Sequence, residues 1–341
     1  MRRRWRRRQW LILPGCLAIV GLISLYWWIS AGRLADGFAA WAAARRAEGW
    51  TVTNGTPAIS GWPWAATLTV PDLSLHDAEP DIPGGVTWSA DRLLLRVVLW
   101  RPTILELAPQ GTQHLRLSEG PDAAFTAKRM RITLPMSGAP PYDFDLTANV
   151  VQAPSMLVGT LRLHGELQPD AQSGATALAF SFAAQSIAPP PPLTRALGPR
   201  IASISADGAL GGPLPNPQST LAQRATDWRD GGGTLELEHV ALSWGPLDLT
   251  GSATLSLDDT LQPMGTGVVH VVGYAETLDT LAAHGLLPKP AATTAKAVLS
   301  LLAQVPDDNS APEVEVPLTL QYRTLSMRQV PLVRLPEVDW P

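Results

Sequence analysis

Apolar and polar positions change their period along this chain, and each change predicts an element. From Trp10 to Trp28 the run WLILPGCLAIVGLISLYWW carries no charged side chain. About twenty helical residues at 1.5 Å each cross the roughly 30 Å hydrocarbon core of a bilayer, so the run predicts a transmembrane helix over residues 10–29. Leu34, Phe38, Trp41 and Arg45 follow at helical spacing in an alanine-rich stretch, predicting a juxtamembrane helix over 30–49 with Gly49 as its stop. From Trp50 the period falls to two. Ala66, Leu68 and Val70 alternate with Thr67 and Thr69, and after Pro71 the pattern resumes at Leu73 and Leu75. A longer strand is predicted from Val86 to Trp100, although Leu93 to Leu95 is continuously apolar. Met130, Ile132 and Leu134 alternate with Arg129, Arg131 and Thr133, and similar runs pass through Phe144 to Val150, Leu161 to Leu167 and Leu178 to Phe182. Such alternation gives one buried and one wet face, the mark of antiparallel sheet.

Pro189 to Pro192 interrupt these strands with a polyproline tract, read as a stiff connection. Leu221, Ala225 and Trp228 then predict a helix, with Ser219 placed to cap it. The clearest strand follows. Leu247, Leu249, Gly251, Ala253, Leu255 and Leu257 alternate with Asp248, Thr250, Ser252, Thr254 and Ser256. After a strand at Val268 to Val272, a helix is predicted at Leu278, Leu281 and Ala282, stopped by Gly285. A second is predicted at Val298, Leu301, Leu302 and Val305. Val314, Val316, Leu318, Leu320 and Tyr322 close the pattern in strict alternation. The fold class is therefore α+β, mainly antiparallel β: a transmembrane helix, then a large antiparallel sheet with a few packed helices. The predicted organisation is a basic tail (1–9), anchor (10–29), juxtamembrane helix (30–49), first β-rich half (50–188), proline-rich linker region (189–218) and second β-rich half with helices (219–341).

Charge orients the anchor. Arg2, Arg3, Arg4, Arg6, Arg7 and Arg8 precede it, with no acid before Asp36. Arginine clusters stay on the cytoplasmic side, which places the N-terminus inside and everything after Trp28 outside. The apolar run exceeds the 7–15 residues of a signal peptide, and Ile-Ser-Ala-Gly after it is a poor cleavage site, so an uncleaved anchor is favoured. Cys16 is the sole cysteine, which excludes an intramolecular disulfide. The 32 prolines, nearly double the usual share of about 5%, predict many short segments between turns. The net charge of −4 includes the arginine tail, so the rest is more acidic still, which argues against nucleic acid as a partner.

Candidate chemistry is sparse. His76, His114, His164, His239, His270 and His284 are scattered, without metal-ligand spacing. Asp143 with Asp145, and Asp258 with Asp259, are acid pairs in strand-edge or turn settings, the second pair helping to reverse the chain after Leu257. There is no G-x-S-x-G, Walker or H-E-x-x-H sequence, and Gly231-Gly232-Gly233 reads as a turn. No catalytic, cofactor-binding or metal residue is assigned, and no cofactor is expected.

Two stretches carry a family resemblance. The first is Ile59-Ser60-Gly61-Trp62-Pro63-Trp64. The second runs from Leu235 through Trp244-Gly245-Pro246-Leu247, Gly251, Leu255 and Asp258 to Gln262-Pro263-Met264-Gly265. With the anchor ahead and Val330-Pro331-Leu332 behind, the chain resembles a bacterial domain-of-unknown-function family of anchored, exported proteins, loosely similar to AsmA-like envelope proteins. Gly61, Pro63, Gly245, Gly251, Pro263 and Gly265 are the structural positions of that resemblance, and the family offers no catalytic residues to carry over. The AsmA-like similarity implies a curved sheet with an apolar concave face. It also implies a role in envelope lipid or protein traffic. The arginine cluster and the apolar run give the expected location: single-pass in a bacterial inner membrane, N-terminus cytoplasmic and C-terminal domain periplasmic. The expectation is a non-enzymatic protein whose partners are the inner membrane and lipid or envelope proteins. Leu247, Leu249, Leu255, Leu257, Val314, Val316, Leu318 and Leu320 form the candidate apolar face. That face either holds acyl chains in an open groove or packs onto helices around Leu281 and Leu301, leaving a protein-binding scaffold as the alternative.

Overall fold

The computed structural model describes residues 3–77, 85–117, 122–136, 139–189, 194–216, 219–303, 312–327 and 330–340. These fall into two compact units. The first takes in the described residues within 3–122 and 131–136, the second those within 123–130 and 139–340.

In the first unit, α1 (Arg3–Ala47) is a single helix of 45 residues, so the two predicted N-terminal helices are one element. It is long and apolar enough to cross a membrane. A glycine-dependent cap ends it: Gly49, at φ +96°, lets the Trp50 N–H reach the Arg45 carbonyl at 3.0 Å and its own N–H reach that of Arg46 at 3.2 Å. The Arg46 guanidinium then donates twice to the Val52 carbonyl, at 3.1 and 2.8 Å, holding β1 (Thr51–Thr53) beside the helix end. Next come β2 (Ala58–Ser60), β3 (Ala65–Asp77), β4 (Val86–Val98), β5 (Arg101–Leu117) and β6 (Ala123–Pro135), of which residues 131–135 belong to this unit and 123–130 to the second. β1 and β2 both pair with β3, β3 with β4, and β4 with β5, all antiparallel.

The core of this unit lies between helix and sheet. Leu34, Phe38 and Ala42, one helical stripe at i, i+4, i+8, are buried against Leu68, Val70 and Leu73 of β3 and Leu93, Leu95 and Val97 of β4. The predicted stripe included Trp41 and Arg45. Instead Trp41 sits on the flank, 39% exposed, and Arg45 pairs with Glu48 at 2.7 Å on the surface. The buried set of β3 changes from even to odd numbers between Val70 and Leu73, and that of β4 between Ala90 and Leu93. Asp72 takes a positive φ of 47° at the switch, and β5 accommodates it with a bulge at Gly111–Thr112, where the Thr112 N–H donates to Asp91 at 2.7 Å.

The second unit contains β7 (Tyr142–Ala153), β8 (Met156–Leu167), β9 (Thr176–Ala188), α2 (Thr194–Leu197), β10 (Ile201–Gly211), α3 (Leu221–Asp230), β11 (Thr234–Trp244), β12 (Leu247–Leu257), β13 (Pro263–Val272), α4 (Tyr274–Ala283), α5 (Lys289–Leu302), β14 (Glu313–Gln321), β15 (Thr324–Met327) and β16 (Val330–Arg334). The strands follow one another across the sheet almost in chain order, as short connections favour. With β2 added on β3, the path from β1 to β16 makes a 16-stranded antiparallel sheet that is not closed. A core forms where Leu197 of α2 meets Val158, Ala184, Ile187, Ile201 and Trp244, with Leu281 of α4 packed against it. The Trp244 indole N–H closes this corner by donating to the Gly198 carbonyl at 3.1 Å.

Two helix predictions need correction. The cap of α3 is Thr220, whose hydroxyl accepts from the Gln223 N–H at 3.3 Å, in place of Ser219. α5 buries Ala292 and points Leu301 outward at 86% exposure, because its inward stripe is offset from the predicted leucines. Val305 and the Leu302 side chain lie outside the described residues, as do Pro190–Pro192 of the proline tract.

Candidate functional site

A helix about 10–12 Å across can cover only about two strands spaced about 4.8 Å apart. α1 makes its main contacts with β1 and β3 and covers β4 only in part, leaving space beside it. The result is a groove of about 530 Å³ along the flank of α1, all within the first unit. From the helix, Tyr26, Ile29, Gly37 and Trp41 line it at spacings of three, eight and four residues. From the sheet come Leu93, Leu95 and Val97 of β4 and Leu105 and Leu107 of β5. Leu134 and Met136 complete the lining, Met136 held by its N–H to the Thr103 carbonyl at 2.8 Å. Among the described residues, Arg33 is the single charged residue of the lining. Gly37 leaves the groove room, since a Cβ placed there would have nothing within 4 Å. Such a volume lies within the range of small-molecule sites, and its apolar walls suit a hydrocarbon.

The groove was only partly legible in the sequence. Phe38, Trp41 and Leu134 stood out as periodic positions and Leu93–Leu95 as a continuous apolar run, but Leu105 and Leu107 did not. The alternation Ile104-Leu105-Glu106-Leu107 was the available signal.

The candidate face chosen from sequence lies in the second unit. Register aligns Leu242, Leu249, Val271 and Val314 in one row across β11–β14, and Leu235, Leu255, Gly265 and Leu320 in another. Val316 and Leu318 occupy the rows between, while Leu247 and Leu257 stand at the ends of β12. Val314 and Leu320 are buried, and the other six are half-buried. α4 packs on β12 and α5 on β14, so part of this face is covered.

The six positions of the family resemblance fall mostly at turns and close approaches. Gly61 and Pro63 lie in the β2–β3 turn, and Pro263 opens β13. Gly245, at φ +59°, lets the β11–β12 turn press on α2, where a Cβ would come within 2.3 Å of the Leu197 carbonyl oxygen. Gly251 and Gly265 sit where a Cβ would strike backbone of the adjoining strand. Arg2 and the side chains of Arg3, Arg4, Arg6, Arg7 and Arg8 lie outside the described residues.

Among the described residues, the His164 and Asp258 clusters lie outside the groove lining. His164 Nδ1 lies 2.9 Å from Asp145 and its Nε2 3.7 Å from Glu166, all three well exposed. The hydrogen bond to Asp145 chiefly raises the His164 pKa, partly opposed by desolvation. Asp258 organises the β12–β13 turn by accepting from the Thr260 N–H at 2.8 Å, the Thr260 hydroxyl at 2.7 Å and the Gln262 N–H at 2.9 Å. Desolvation pushes its pKa up, but those bonds and Arg229 outweigh it, and the net shift is downward. Among the described residues no three His, Cys, Asp or Glu side chains gather as metal ligands.

No curated protein and no solved structure matches this chain. A family described as "Uncharacterized protein conserved in bacteria (DUF2125)" matches residues 27–336, beginning at Trp27, whose indole N–H donates to the Ala65 carbonyl of β3. That span is most of the 341 residues and includes both units, and the chain belongs to this bacterial family.

Proposed function

We propose that this chain is a non-enzymatic envelope protein, anchored in the inner membrane by α1, that holds a lipid acyl chain in the groove of its first unit. The observation carrying this reading is the apolar groove between α1 and β4–β6, lined by Tyr26 and Ile29 near the end of the apolar run. The six N-terminal arginines support an inside N-terminus and a periplasmic sheet. The resemblance to AsmA-like envelope proteins points the same way, as analogy only.

Each acyl CH₂ withdrawn from water gains about 0.8 kcal/mol, so a dozen carbons gain on the order of 10 kcal/mol gross. Between bilayer and groove the difference is small, because both surround the chain with hydrocarbon. A lipid tail can therefore enter the groove from the membrane without an apolar penalty, and a charged headgroup pocket is not needed to hold it.

The test uses the full chain in membranes carrying a photoactivatable acyl lipid, because α1 supplies part of the first unit's core. Cross-links are expected on Leu95, Leu107 and Met136 as well as on Leu17–Leu22, which bilayer lipid reaches in any case. Gly37→Leu should remove the groove cross-links and spare those on the span. Its Cβ meets nothing within 4 Å, and replacing a helical glycine favours the helix by up to about 1 kcal/mol. Cross-links confined to the span would refute lipid binding in the groove.

One observation favours a protein-binding scaffold as the second reading: all five residues of β16, at the end of the strand path, are exposed. An open edge strand can pair with a partner's strand. Loss of a co-purifying protein on Val333→Pro, with groove cross-links absent throughout, would favour that reading.

A further inference from the structure

The tryptophans at one end of the first unit point to a second membrane contact. Trp62 and Trp64 lie in the β2–β3 turn and Trp100 in the β4–β5 turn, exposed by 54, 68 and 66%. Ala65 pairs with Val98, so both turns occupy the same end of the sheet. Two hydrogen bonds fix that end against α1: the Trp27 indole N–H donates to the Ala65 carbonyl at 2.8 Å, and that of Trp62 to the Ser24 hydroxyl at 3.1 Å. Ser24 and Trp27 belong to the apolar run that ends at Trp28. Four residues at 1.5 Å each place Ser24 about 6 Å deeper along the helix than Trp28. The end of the uncharged run of α1 is thus held level with three large exposed indoles.

Tryptophan combines an apolar body with a polar N–H, and it concentrates where hydrocarbon meets headgroups. Exposed to water, three such side chains on adjacent turns would be an unexplained apolar patch.

We infer that Trp62, Trp64 and Trp100 are immersed in the outer interface of the same bilayer that α1 crosses, so that the sheet end rests in the membrane. This rests on the reading of α1 as an anchor and deepens it. The occupant of the patch is the phospholipid interface, because the hydrogen bonds above make the patch continuous with the spanning helix. The consequence for the groove is direct: Tyr26 and Pro102, at its turn-proximal end, open into lipid and not into water.

The test reconstitutes the full chain in vesicles of phosphatidylethanolamine and phosphatidylglycerol, in a Cys16→Ser background. Trp64→Cys and Trp100→Cys are each labelled with an environment-sensitive nitrobenzoxadiazole dye. Thr51→Cys, exposed at the opposite end of the sheet, serves as reference. At positions 64 and 100 the emission should shift to the blue, and shallow spin-labelled lipid should quench it several-fold more than at 51. Iodide should show the reverse order. Labels at 64 and 100 that match 51 overturn the inference. So do labels shielded from iodide yet untouched by the lipid quencher, because a protein contact, such as a second copy, then covers the patch. Alkaline washing of the same vesicles separates the two readings. A chain released by it overturns the anchor itself, whereas a retained chain with water-exposed labels overturns only the interfacial contact.

Discussion

Replacing Phe38 by alanine tests whether α1 is structurally part of the first unit or merely a tether. Phe38 is 7% exposed and sits in the middle of the stripe that packs on β3 and β4. Truncating a buried phenylalanine costs about 3–5 kcal/mol, combining lost transfer energy with the cavity left behind. Trp41 is three residues on, 39% exposed, with its ring centroid 5.8 Å from that of Phe38. Trp41→Ala forfeits mainly that aromatic contact and part of the groove wall, about 1 kcal/mol. Two compact units make a single unfolding free energy ill defined. The readout is therefore hydrogen exchange of the β3 amides from Leu68 to Leu73, measured on the full chain in lipid nanodiscs. At about 1.4 kcal/mol per tenfold, Phe38→Ala should speed β3 exchange by roughly two to three and a half powers of ten. Trp41→Ala should change it by roughly one, and β8 and β9 in the second unit should serve as unchanged references. Equal effects of the two substitutions, or a β3 rate unmoved by Phe38→Ala, would mean that the helix contributes nothing to the core.

Two further perturbations follow from the second unit. Leu249 stands half-buried between Leu242 and Val271, so Leu249→Asp should destabilise by about 2 kcal/mol, whereas Thr250→Asp, on the exposed face, should cost under about 0.5 kcal/mol; urea unfolding of the second unit checks the contrast. Asp258→Ala removes three hydrogen bonds from the β12–β13 turn, a loss of about 1–2 kcal/mol at neutral pH. Because the folded pKa of Asp258 is lowered, its stabilisation is present above the unfolded value of 3.8 and fades as pH falls through the lower folded value, so the gap from wild type should narrow below about pH 4. A gap that widens on acidification would contradict the shift.

The period of apolar positions was enough to predict an N-terminal helix, an antiparallel sheet and helices near residues 221–228, 278–282 and 298–302. These signals are local: a charge-free run of nineteen residues, or leucines at every second position, permits little else. Gly49 and Gly285 were readable as helix stops because a positive φ at a helix end is what glycine supplies. Asp258 and Asp259 were readable as a turn because a short carboxylate can accept from the amides just after it.

What the period could not convey is which apolar face meets which element. Asp72 and the β5 bulge move the buried set of β3 and β4 from even to odd positions, a change invisible to a strict period of two. The alternation of Leu247–Leu257 and Val314–Leu320 drew attention to the second unit, where α4 and α5 partly cover it. The groove instead arises in the first unit, from the width of one helix set against three or more strands. Its walls come from residues more than a hundred positions apart, Tyr26 and Met136 among them. Sequence alone determined that this chain carries a helix long and apolar enough to cross a membrane and a sheet with one apolar face, because those depend on neighbouring residues. Where apolar surface stays open was decided only when α1 lay down on β3, since coverage is a property of packed elements and not of any single run of residues.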